Sequence, residues 1–146
     1  MTITQVNIEQ LEDLVPLFND YRIFYKQDSD VELASQFLKE RIQNNESIIF
    51  MAYVNNEAIG FTQLYPLFSS VSMKPTYVLN DLFVKSNYRG KGIGEALINK
   101  AKALCEAQKN KGLALQTATD NPAQKLYERL GFIKDYDLYY FWAREK

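Results

Sequence analysis

The stretch Asp81-Leu82-Phe83-Val84-Lys85-Ser86-Asn87-Tyr88-Arg89-Gly90-Lys91-Gly92-Ile93-Gly94 decides how the rest of the chain is read. It is an apolar strand ending at Val84, a short polar turn, a glycine-rich loop, and the opening of a helix. Three glycines alternate with Lys91 and Ile93. Glycine permits turns that a Cβ forbids and lets backbone approach a ligand closely. The helix that follows offers unpaired N–H groups and the positive end of its dipole. Together these features make an anion site, most often one for phosphate. Two nucleotide motifs fail on it. The P-loop pattern needs an earlier glycine and a Ser or Thr after Gly90-Lys91, where this chain has Gly92. The dinucleotide fingerprint needs a third glycine where this chain has Glu95.

Outward from the loop, the pattern predicts a strand over 77–84 and a helix over Ile93–Lys109. That helix has an apolar face of Ile93, Leu97, Ile98, Ala101, Leu104 and Cys105. A strand over 112–118 follows. A strand–helix–strand unit of this length is a right-handed crossover, so the two strands are parallel. Asn121-Pro122 opens a short helix with proline at its first position, and Gly131 ends it. Phe132–Tyr136 and Leu138–Arg144 read as returning strands. Toward the N-terminus, Thr2–Val6 reads as a strand, and Asn7 with Gln10 as a capping box. A helix through Leu11, Leu14, Val15, Phe18 and Tyr21 follows, kinked or restarted at Pro16 and extended by the apolar Ile23-Phe24-Tyr25. A second helix over Val31–Asn44 turns Leu33, Phe37, Leu38 and Ile42 inward. Strands over 47–54 and 58–67 form a hairpin about Asn55-Asn56-Glu57, and 69–75 is a loop.

The chain has 17 basic and 18 acidic residues and no histidine. Near-zero net charge gives no footprint for nucleic acid. Histidine triads, histidine bases and most zinc sites are excluded, and no metal site is expected. No apolar run approaches membrane-spanning length and no secretory signal is evident, so no membrane partner is expected. The single cysteine, Cys105, fits a reducing cytoplasm and reads as core. The length suits one domain spanning residues 1–146.

Arg89-Gly90-Lys91-Gly92-Ile93-Gly94 resembles the R-x-x-G-x-G signature of the GNAT superfamily of acetyl-CoA-dependent N-acetyltransferases. Asn121-Pro122-Ala123-Gln124-Lys125-Leu126-Tyr127-Glu128-Arg129-Leu130-Gly131-Phe132 is similar to that superfamily's second hallmark. The resemblance covers essentially the whole chain. It implies an α/β GNAT fold: a central mixed, mostly antiparallel sheet, its fourth and fifth strands parallel and splayed, with helices on both faces. Tyr21–Tyr25 and Gly60–Pro66 look like a histone- and polyamine-type subgroup.

The resemblance also implies roles. Backbone N–H groups from Arg89, Gly90, Lys91, Gly92, Ile93 and Gly94 would hold the cofactor's pyrophosphate. Arg89 would add charge, and Lys91 reads equally as a solvated surface residue. Leu82, Phe83 and Val84 would offer their open edge to the pantetheine arm, with an N–H near Phe83 at the carbonyl oxygen. Asn121, Ala123 and Tyr127 would complete the cofactor site. Tyr127 is the candidate acid for the leaving thiolate, against a reading as a core ring. Asp81 is the candidate base, directly or through water, against a purely structural role; in an apolar strand, one of Asn80 and Asp81 must face a covered side. Acceptor contacts are expected from Tyr21, Tyr25, Asp28, Asp30, Gln63, Tyr65 and Asp81. The expected activity is direct acetyl transfer to a primary amine of a small molecule, polyamine or peptide, by a homodimer. A non-catalytic acyl-CoA sensor on the same fold is the other reading.

Overall fold

In the computed structural model, β1 (Thr2–Gln5) opens the chain and the described residues are 1–145. They divide into two compact units, residues 1–116 and 117–145. The first holds α1 (Leu11–Phe24), α2 (Val31–Gln43), β2 (Ile48–Val54), β3 (Glu57–Ser69), β4 (Lys74–Val84), α3 (Ile93–Ala107) and β5 (Leu113–Ala114). The second holds α4 (Gln124–Arg129).

Local chemistry accounts for the element ends. Asn7 Oδ1 accepts the Glu9 N–H and Gln10 Oε1 accepts the Asn7 N–H, the expected capping box, here closing a 3-10 turn before α1. Pro16 does not interrupt α1. It lies on the exposed side, where the Glu12 carbonyl that it leaves unbonded can meet water. Asp30 caps α2 through its side chain, accepting the Leu33 N–H at 3.0 Å. Leu33 therefore sits in the first turn and is exposed, not inward, while Ala34 and Leu38 reach the core. Asn44 is the C-terminal cap and not a helical residue. Asn55 and Asn56 both take positive φ, as a two-residue hairpin turn demands. The next hairpin is longer than expected: Phe68 pairs with Pro75 and Ser69 with Lys74, leaving only 70–73 as loop.

The sheet order is β1-β2-β3-β4-β5, antiparallel except for the parallel β4–β5 pair. Partners across strands share a face. Met51, Phe61 and Phe83 lie in one row and pack with Leu14, Phe18 and Leu38 of α1 and α2. The opposite row, Ala52, Gly60 and Val84, faces the α3 side. Helices thus cover both faces. Gly60 is required here: a Cβ on it would stand 2.9 Å from the Phe83 carbonyl oxygen and 3.3 Å from Val84 Cγ2. Gly60→Ala is expected to cost about 1–3 kcal/mol by forcing β3 from β4. Urea unfolding measures it, and a loss below about 0.5 kcal/mol would refute the close approach.

Gln63 pairs with Asp81 and Leu64 with Leu79, so Asn80 is an extra residue in β4, a β-bulge. Before it, the Tyr77 N–H points to Gly112 beside β5. After it, the Lys85 N–H points to Ile59 in β3. Alternation then turns the N–H and C=O of Leu82 and Val84 to the edge away from β3. β5 pairs with β4 only at Tyr77–Leu113 and Val78–Ala114, just before the bulge. The expected strand over 112–118 is shortened accordingly.

In the second unit, Asn121 Oδ1 accepts the Ala123 N–H, so a turn precedes the helix and Pro122 lies outside it. Gly131 ends α4 in the left-handed conformation, as expected. The strands expected over Phe132–Tyr136 and Leu138–Arg144 do not form among the described residues. A strand needs a ladder partner, and among its described residues this unit holds no strand to supply one.

Candidate active site

β4 delivers the chain to the glycine loop through a 3-10 turn at Ser86–Tyr88. Lys85 Nζ and the Tyr88 hydroxyl both donate to Glu57, each at 3.1 Å, which ties this turn to the β2–β3 hairpin. Hydrogen bonding from Lys85 holds the Glu57 carboxyl below its usual range. Gly90 and Gly92 have φ of 75° and 81°, left-handed values that bulkier residues resist. Gly92 is the N-cap of α3 and contributes no side chain to it. A Cβ at Gly90, Gly92 or Gly94 would enter open space. The loop is thus an uncluttered cradle at the positive end of a 15-residue helix, and it fits a phosphate-bearing group. Ile93 turns inward as the first buried residue of α3.

Asp81 lies on the α1 face of the sheet and is 3% exposed. Its Oδ2 accepts from Gln63 Nε2 and its Oδ1 from Asn80 Nδ2 at 2.8 Å. The Tyr21 hydroxyl donates to the Asn80 carbonyl at 3.5 Å and lies close enough to act on Asp81. Burial raises the Asp81 carboxyl above its usual range, and Gln63, Asn80 and Tyr21 only partly offset this. Burial, then Asp81 itself, raises the Tyr21 phenol strongly and pushes Tyr65 up to about 12. Both tyrosines remain protonated at any physiological pH. The expected pair of opposite-facing polar residues takes a different form: Asp81 is buried, Asn80 is exposed, and the bulge lets their side chains touch.

Aromatic rings gather beside this carboxylate. Tyr21 meets Phe61, Phe83 and Tyr25 edge-on, with Tyr25 at 5.0 Å, and Tyr25 meets Phe24 at 5.3 Å. Ile23, Phe24 and Tyr25 are roughly half exposed and do not extend the core face of α1. Three consecutive residues at 100° steps cannot share one helix face, a signal readable from sequence. The Arg89 guanidinium lies 5.1 Å from the Phe24 ring centroid and 5.5 Å from that of Phe83. Its Nε donates to the Val84 carbonyl at 2.8 Å. A cleft of ≈ 450 Å³ opens here, lined in part by Asp20, Phe24, Phe83 and Arg89. Lys91 lies over the Tyr88 ring.

Tyr21, Tyr25, Gln63, Tyr65 and Asp81 are therefore brought together as expected. The Gln63 amide, however, is engaged at both ends. Gln63 is fully buried and spends its amide on Asp81 and on Ser47. Asp28 is exposed in the α1–α2 turn, where its carbonyl accepts from Arg22, and it is not among the groups acting on Asp81. Asp30 is committed to capping α2. Ser47, the bulge partner Asn80 and the Phe24–Arg89 stack had no motif to announce them. In the second unit, Asn121 shapes the turn before α4 and also donates to Thr117 at 2.8 Å. Ala123 and Tyr127 are half-buried, and Tyr127 meets Phe132 edge-on at 6.1 Å.

The chain matches the model of the acetyltransferase (GNAT) family over residues 11–132. It is 49% identical over 136 residues to YhfO of Bacillus subtilis (strain 168), an uncharacterized N-acetyltransferase, covering 92% of this chain and 91% of that one. A crystal structure of a probable acetyltransferase superposes with a TM-score of 0.94 at 36% identity, over all of both chains. An aminoglycoside N-acetyltransferase solved in complex with CoA shares the fold, with a TM-score of 0.82 at 22% identity over 98% of this chain and 94% of that one. Cradle, parallel strand pair and buried carboxylate thus lie in a chain that belongs to the GNAT family, and the protein is an N-acetyltransferase.

Proposed function

We propose that the protein transfers the acetyl group of acetyl-CoA to a primary amine by direct attack within a ternary complex. The acceptor classes are a small amine or polyamine, or a peptide lysine or N-terminus. The observation that carries this reading is Asp81: a buried carboxylate of raised proton affinity, held by neutral donors, three residues before the end of the strand that feeds the glycine loop. When bound, acetyl-CoA supplies the activated acetyl thioester. The N–H groups of 89–94 and the start of α3 would hold its diphosphate, and the edge of Leu82 and Val84 its pantetheine arm. The N–H toward the carbonyl oxygen is assigned to Leu82 or Val84, because alternation turns that of Phe83 to β3. Asn121 and Ala123 shape the turn that leads to Tyr127.

Asp81 takes the proton of the incoming ammonium group, which frees the nitrogen lone pair. Tyr127 returns a proton to the sulfur; phenol and thiol have ordinary proton affinities close enough for that transfer. The rings of Tyr21, Tyr25 and Tyr65 would present faces to the cationic acceptor before it loses its proton. The subgroup likeness of Tyr21–Tyr25 and Gly60–Pro66 supports a polyamine or peptide amine. A single 146-residue domain acting in the cytoplasm as a homodimer belongs to the same proposal.

The test is thiol release from acetyl-CoA with spermidine, an aminoglycoside, a peptide with a free N-terminus, and an N-terminally blocked lysine peptide. At least one primary amine should turn over. Tyr127→Phe should lower kcat by about 10–100-fold with acetyl-CoA affinity kept within about twofold by calorimetry. Unchanged turnover in that variant removes Tyr127 from the chemistry. No release with any amine removes the acceptor class.

A further inference from the structure

We propose that Gln63, aligned by Ser47, is the positioning residue that orients Asp81 and sets its readiness to take a proton. The inference rests on the reading of Asp81 as base. Gln63 stands directly opposite Asp81 in the β3–β4 register and is fully buried. Its Nε2 donates to Asp81 Oδ2, and its Oε1 accepts from Ser47 Oγ at 2.8 Å. The carboxylate only accepts, so it draws the NH2 end of the amide, and the Ser47 hydroxyl satisfies the other end. With Asn80 on Oδ1, each carboxylate oxygen has its own donor.

A purely structural pair has little reason to exist here. Two facing apolar residues would fill this face of the sheet without burying a charge. The donor is also of an unusual kind. Arg or Lys opposite Asp81 would make an ion pair and suppress its basicity. A carboxamide supplies direction and a hydrogen bond but no charge, so it holds the carboxylate without the ion pair that would suppress its basicity. The other groups facing Asp81 are the phenols of Tyr21 from α1 and Tyr65 from β3, both protonated. Arg41 of α2 acts on Tyr65 and not on Asp81. The Gln63 hydrogen bond acts to lower the proton affinity that burial raises.

The experiment reads Asp81 ionisation in the intact protein by NMR of 13Cγ-labelled aspartate. The Asp81 signal is assigned by its loss in Asp81→Asn. Gln63→Met should move the titration upward by about one to two units, and Ser47→Ala by a smaller step in the same direction. The acidic limb of kcat, measured with the fastest amine of the panel, should move with it, while the KM for acetyl-CoA holds. Ser47 lies half-buried just before β2, so Ser47→Ala carries the test if Gln63→Met does not fold. An inactive Asp81→Asn together with unshifted Gln63→Met and Ser47→Ala titrations overturns the role of Gln63 alone. Wild-type turnover in Asp81→Asn removes the base, and the positioning role with it.

Discussion

Asp81→Asn is expected to lower kcat by about 10²–10⁴-fold, the usual worth of a general base, with acetyl-CoA binding nearly unchanged. The side chain keeps its size but can no longer take a proton. The same exchange should stabilise the fold at neutral pH. In the folded chain, burial raises the Asp81 carboxyl above its unfolded value of about 3.9. Its favourable contribution is therefore complete below about pH 4 and is lost as pH rises through the raised folded value. Above that value, the wild-type protein carries a buried anion and Asp81→Asn does not. Gln63 can turn its amide to suit the new partner, because the Ser47 hydroxyl both donates and accepts. Urea unfolding at pH 4.5, 6.0 and 7.5 should show the stability of Asp81→Asn gaining on wild type with rising pH (about 1–3 kcal/mol at most). A gap that is constant, or that narrows toward pH 7.5, would contradict the raised proton affinity.

Phe61→Ala should cost about 3–5 kcal/mol, a large share of the roughly 5–15 kcal/mol that holds a domain together. Phe61 is fully buried in β3 and meets Phe18 at 6.1 Å and Tyr21 at 5.7 Å. Met51 and Phe83 flank it across the sheet, so the cavity has rigid walls on both sides. The loss reaches the site as well, since the Tyr21 ring that faces Asp81 leans on Phe61. Equilibrium unfolding in urea measures the cost. A loss under about 1 kcal/mol would mean that the α1 face closes over the gap, against the packing described.

Most elements were legible where their signals are local. The capping box at Asn7, the hairpin turn at Asn55-Asn56 and the left-handed end at Gly131 each require particular residue types within a few positions. The loop at 89–94 was legible for the same reason, and Asp81 stood out as a charge in an apolar strand. Failures came where the deciding partner is distant in sequence. Residues 132–145 have the composition of strands but no ladder in their own unit, and alternation alone does not supply one. Leu33 has an apolar side chain, yet the Asp30 cap fixes the helix phase that exposes it. Nothing in β3 reveals that Asp81 and Ser47 use both ends of the Gln63 amide.

The extra residue at Asn80 is information stored as chain length. No substitution there can remove it. An exchange of side chain costs one hydrogen bond to Asp81, whereas loss of the position would remove the bulge and slip the β3–β4 register by one residue. A mutational map built only from amino-acid replacements would score position 80 as permissive. The geometry that turns the edge of Leu82 and Val84 away from β3 is inherited through insertions and deletions, and such a map cannot see it.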